Sequence, residues 1–129
     1  MDIESLYKKA DFKTEKHVPV IDIKGEIKKG QDIAVTITVG KEITHPNTTA
    51  HYIGWIELYF LAKDNSMPIQ LGRFEFSAHG ASALGADTSS VYSSSTVSTS
   101  FKTGMPGLLI ATSYCNIHGL WQSSLEINL

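Results

Sequence analysis

Ile33-Ala34-Val35-Thr36-Ile37-Thr38-Val39 decides the fold class. Its β-branched apolar residues alternate strictly with Ala and Thr, a period of two that sends one row of side chains into a core. Lys28-Lys29-Gly30-Gln31-Asp32, just before it, is a turn. Further upstream, Val18, Val20 and Ile23 mark a second strand, and Pro19 within it points to a sheet edge, because proline offers no N–H to a ladder. Ahead of that the period changes: Ile3, Leu6 and Tyr7 fall at i, i+3, i+4 behind a possible cap at Asp2, which predicts a short helix or turn at the N-terminus. Downstream, residues 52–61 are apolar and aromatic on both faces, as in a strand central to a sheet. Asp64-Asn65-Ser66 turns the chain into another strand over 69–76. Residues 77–95, rich in Ser, Ala and Gly, form a long loop. Three more strands follow over 97–101, 108–114 and 120–129, the last two joined by the turn Cys115-Asn116-Ile117-His118-Gly119.

About seven short strands, with turn signals every ten or so residues, predict an all-β fold, an immunoglobulin-like sandwich of antiparallel strands. At 129 residues the chain is one domain, 1–129, large enough to bury a core without staples. A hydrophobic content of 42% with 19% charged residues excludes a disordered chain. No apolar run is long enough to span a bilayer, so no membrane role is expected. A net charge of -2 removes the basic footprint of a nucleic-acid binder. The first residues lack an apolar signal core, and the single cysteine can form no internal disulfide. Both features lead us to expect a reducing, cytoplasmic location.

The five histidines, His17, His45, His51, His79 and His118, stand outside the alternating apolar runs. Taken singly, each is an ordinary loop residue. Three segments break that pattern. Glu15-Lys16-His17-Val18-Pro19 sets a carboxylate, an ammonium and an imidazole side by side at the entry to a strand. As a plain solvated charge pair it is worth under about 1 kcal/mol. Thr44-His45-Pro46-Asn47-Thr48-Thr49-Ala50-His51 places two imidazoles around a turn that follows the best strand. In Cys115-Asn116-Ile117-His118-Gly119-Leu120-Trp121 the only thiol lies three residues from an imidazole. A free cysteine is commonly a small buried hydrophobe, but the N–H groups of Asn116, Ile117 and His118 in such a turn are placed to tune a thiolate.

Together these segments offer four nitrogen donors and one sulfur. Structural zinc closes with four ligands, which leaves one too many here. Blue copper takes two His, one Cys and a long axial Met. The position eight residues after Cys115 is Ser123, and neither Met67 nor Met105 follows the cysteine. Four imidazoles and a thiolate suit iron, with a sixth position left for chemistry and a thiolate that pushes electron density through the metal.

These three motifs, in this order, resemble those of the superoxide reductases, or neelaredoxins, of the desulfoferrodoxin superfamily, and the likeness runs over nearly the whole chain. With one cysteine, the chain is similar to the one-iron class rather than to desulfoferrodoxins with a second, four-cysteine iron domain. The resemblance implies a mononuclear iron with His17, His45, His51 and His118 around it and Cys115 axial. It implies that Glu15 fills the sixth position in the resting oxidised state and leaves on reduction, and that Lys16 is the cation beside the open face. It implies reduction of superoxide to hydrogen peroxide, with a rubredoxin-like protein returning the electron, in a homotetramer. His79 matches no ligand position and is expected to be a hydrogen-bonding loop residue. Two alternatives are an electron-transfer cupredoxin and a non-catalytic immunoglobulin-like binding module with incidental histidines.

Overall fold

The structure, a computed structural model, describes residues 2–129. Its strands are β1 (Tyr7–Lys8), β2 (Pro19–Lys24), β3 (Ile33–Val39), β4 (Ile53–Ala62), β5 (Ile69–Glu75), β6 (Thr96–Phe101), β7 (Gly107–Cys115) and β8 (Gly119–Ile127). They form a five-stranded sheet in the order β1-β8-β7-β4-β5 and a three-stranded sheet in the order β2-β3-β6. All seven expected strands are present, and each pairs antiparallel with a neighbour. Proline opens β2, which is an edge strand as its ring requires. β4 lies inside its sheet, between β7 and β5.

The short helix or turn expected at the N-terminus is present in its smallest form, without the expected cap. Ile3–Leu6 makes a single 3-10 turn, and Asp2 contributes no side-chain cap. Ile3 and Leu6 stay exposed, so no core rewards a longer helix. The chain then adds a strand that composition did not reveal: β1 pairs with β8 in parallel, Tyr7 opposite Leu120 and Lys8 opposite Trp121.

Alternation in β3 buries Ile33, Val35, Ile37 and Val39 against Ile56, Leu58 and Phe60 of β4 and Leu109 and Ala111 of β7. The inward row of β7 continues past this apolar core through Ser113 to Cys115, both fully buried. A core row therefore ends on a thiol. β4 carries a bulge where it meets this end: Ile53 faces Cys115 and Trp55 faces Tyr114, leaving Gly54 as the extra residue. The bulge shifts the inward parity, so that Ile53 and Ile56, three apart, are both buried. A smaller cluster of Val18, Val20 and Trp121, with Phe12 against it, closes the sandwich beside this end.

Candidate metal centre

Three loops and one strand end meet here. His17 immediately precedes β2, His45 and His51 lie between β3 and β4, Cys115 ends β7, and His118 sits in the turn to β8. The short path from β3 to His45 depends on Gly40. Its φ is +88°, and a Cβ there would stand 2.5 Å from the His45 backbone nitrogen. A side chain at that position meets both a left-handed backbone and a steric clash.

The rings form a closed circuit. Centroid separations are 4.8 Å for His17–His45, 4.7 Å for His45–His51, 5.0 Å for His51–His118 and 4.6 Å for His118–His17. His17 and His51 face each other across it at 6.3 Å. These are the sides and one diagonal of a rough square. Cys115 Sγ lies 3.6 Å from His45 Nε2 and 3.7 Å from His118 Nδ1, which stand at opposite corners. The sulfur is therefore nearly equidistant from two facing imidazoles. Ligand atoms of His17, His45, His51 and Cys115 all lie within 4.8 Å of one another. His118 joins them through Nδ1, 3.0 Å from His17 Nε2 and 3.2 Å from His51 Nε2.

Outer partners fix which nitrogen faces inward. His45 Nδ1–H donates to the Pro46 carbonyl at 2.6 Å, so its Nε2 presents a lone pair. His17 Nδ1 faces the Glu15 carboxylate, which leaves its Nε2 for the centre. Ser113 donates to the His17 carbonyl at 3.2 Å. A hydrogen on His118 Nδ1 or His51 Nε2 cannot serve every inward lone pair at once, whereas one cation can. Two imidazoles with an inward nitrogen fixed by outer partners, beside a buried thiol, are the chemistry of a transition-metal site.

The electrostatics favour neutral rings. Burial lowers His45 to about 4; repulsion between like charges on its ring and on His17, His51 and Lys16 acts in the same direction, and the Pro46 hydrogen bond opposes it. His51 is lowered by burial and by His118, His17 and Lys16. Lys16 makes no ion pair among the described residues, and its charge is felt at both rings. Glu15 is tied back: its Oε2 accepts the backbone N–H groups of His17 at 2.6 Å and Val18 at 3.0 Å. Burial alone would raise the Glu15 carboxyl, but bonds from the His17 side chain and these two N–H groups hold it below its ordinary value.

The expected tuning of the thiol is met in one position and not in another. His118 N–H donates to Cys115 Sγ at 3.4 Å. The Asn116 N–H goes instead to the Tyr52 carbonyl at 3.2 Å, and the Asn116 side chain brackets Tyr52 N–H and Ala50 O. That amide stitches the cysteine turn to the His51 loop. His79 stays outside the circuit, with Nδ1 at 2.7 Å from Asn47 Oδ1, Nε2 at 2.6 Å from the Phe76 carbonyl, and its ring stacked on Tyr52. Neither alternative survives this geometry, since blue copper needs only two imidazoles and incidental histidines would not converge. Ser113 and Trp121 support the site without having been singled out from sequence, although Trp121 closes the cysteine motif; Asn116 was singled out for its N–H, whereas its side chain does the bracing.

The sequence matches the Desulfoferrodoxin family over residues 9–124. The chain belongs to the desulfoferrodoxin family. Among members of that family, it is 44% identical to the neelaredoxin of Megalodesulfovibrio gigas over 129 residues, covering 100% of this chain and 99% of the relative. It is 47% identical over 125 residues to the superoxide reductase of Pyrococcus furiosus, covering 97% of this chain and 98% of the relative. The reduced form of the Archaeoglobus fulgidus superoxide reductase (neelaredoxin) superposes with a TM-score of 0.89 at 48% identity, covering 96% and 99% of the two chains. For a desulfoferrodoxin-family chain, the three-histidine, one-cysteine cluster is consistent with one iron centre.

Proposed function

We propose that the protein is a superoxide reductase, an oxidoreductase that converts superoxide to hydrogen peroxide without releasing dioxygen. His17, His45, His51, His118 and Cys115 are assigned as the ligands of one iron per chain. The closed circuit of four imidazoles over a buried sulfur carries this reading, and the names of the relatives support it. Iron bound there supplies one electron to the substrate and accepts one from an external donor.

The side chains do the rest. Pro46 O keeps the His45 lone pair aimed inward throughout turnover, and the Glu15 carboxylate does the same for His17 while the sixth position is open. The His118 N–H draws density from the Cys115 sulfur and so limits its donation. Lys16 gathers the anion. Because the net charge is -2, this attraction is local to the site rather than a property of the whole surface. His118 is exposed and His51 half-buried, which leaves the circuit open to water as the source of two protons. Glu15 is assigned the sixth position in the oxidised protein, and its tie to the His17 and Val18 N–H groups is the resting place of the carboxylate when that position is open.

We further propose a rubredoxin-like electron donor, a homotetramer, a cytoplasmic location and a single functional domain over residues 1–129. The stoichiometry of the products tests the reaction. Reduced, iron-loaded protein given superoxide without oxygen should yield one peroxide per superoxide consumed. Half that yield, with dioxygen released, means dismutation and overturns the proposal.

A further inference from the structure

Trp121 donates no metal ligand, yet it lies flat on one. Its ring and that of His17 are 13° from parallel with centroids 5.0 Å apart. The residue is 8% exposed, and its Nε1–H is buried with no acceptor among the described residues. An orphaned donor of this kind costs about 1–3 kcal/mol. Phenylalanine would cover the same imidazole with no orphan. The retained indole therefore points to its ring rather than its N–H, and tryptophan has the most electron-rich face among the aromatic side chains. The Lys8 ammonium, 5.5 Å from the ring centroid, already uses that property.

The register gives the contact its rigidity. Trp121 stands opposite Ser113 in the β7–β8 pair, and Ser113 holds the His17 carbonyl. Neighbouring positions on two strands thus grip one histidine, by its backbone and by its ring. An imidazole bound to a metal becomes poorer in electrons as the charge on the metal rises. Stacking on an electron-rich face strengthens with that polarisation.

We propose that Trp121 is a positioning residue that sets the reduction potential of the metal held by His17, favouring the oxidised state through its face-to-face contact with the ring. This rests on His17 being a ligand of a redox metal, as assigned under the proposed function.

The test is a spectroelectrochemical titration of iron-loaded wild type, Trp121→Phe and Trp121→Leu. The potential should rise in Trp121→Leu and rise less in Trp121→Phe, which keeps a weaker aromatic face. Unchanged potentials overturn the proposal. A fall overturns it too, because the indole would then act by excluding water from His17. If Trp121→Leu fails to fold, a Trp55→Phe background leaves Trp121 as the only tryptophan. Its emission should change in a saturable way as Zn²⁺ is titrated into the metal-free protein. Flat emission with Zn²⁺ bound shows that the stack does not sense the ligand, and overturns the proposal. A wild type that binds no iron fails the site assignment instead. Iron bound with an insensitive potential fails only Trp121.

Discussion

A thiolate bound to ferric iron absorbs visible light, and Cys115 is the only sulfur in the histidine circuit. Cys115→Ser should therefore abolish the thiolate-to-iron band of the oxidised protein while leaving four nitrogens to retain metal. A band that persists removes the axial assignment. Lys16 is judged by rate rather than colour. A unit charge pair near 4 Å is worth roughly 1 to 4 kcal/mol between water-like and surface-like dielectrics. Lys16→Ala should then slow superoxide capture on the order of tenfold at low salt and flatten its dependence on ionic strength. An unchanged second-order rate at low salt would show that the anion is gathered elsewhere.

Loops and strand ends, rather than strand interiors, supply the donors, and the elements that aim them are small. Gly40→Ala places a Cβ 2.5 Å from the His45 nitrogen at a φ of +88°. It should cost about 2 kcal/mol or more and weaken metal retention, read as faster loss of iron to a chelator. Wild-type stability and retention would mean that the turn does not aim His45. The same contrast explains what the sequence discloses. Strict alternation in β3, the two-sided apolar character of β4 and Pro19 at an edge were all legible, because each follows from local periodicity or a missing donor. The three motifs whose side chains converge were legible as well, because unusual residue types cluster within a few positions. β1 was not, since a two-residue parallel pair gains its stability from a partner more than a hundred positions away. The N-terminal turn was legible from spacing, but the Asp2 cap was not borne out, and Ile3 and Leu6 meet no core that would extend the turn. The Gly54 bulge, the Ser113 contact and the Trp121 stack depend on register between strands, which no single segment encodes. The segment over 77–95 read only as a long loop, with no contact to the site; in the structure Asn47 donates to the Ala78 and Ser93 carbonyls, and Asp87 accepts from Thr49 N–H. That loop braces the segment carrying His45 and His51.

In the molecule taken together, the sandwich has its apolar mass at one end of the β7 row and its polar cluster at the other. Holding histidines neutral in that position links stability to pH. His45 falls to about 4 in the fold, from an ordinary value near 6.5, and His51 is lowered too. Between those values the unfolded chain binds more protons, so the metal-free protein should lose stability as pH falls from 6.5 toward 4. From His45 alone the loss is about 3 kcal/mol over the full window. Denaturant midpoints measured across that range check it, and a midpoint that stays flat or rises on acidification contradicts buried neutral rings. X-ray absorption at the iron edge of the loaded protein examines the convergence of the five donors. We predict one iron per chain with a single sulfur and four imidazole nitrogens in its inner shell. An inner shell without sulfur, or with fewer than four imidazoles, would contradict the site.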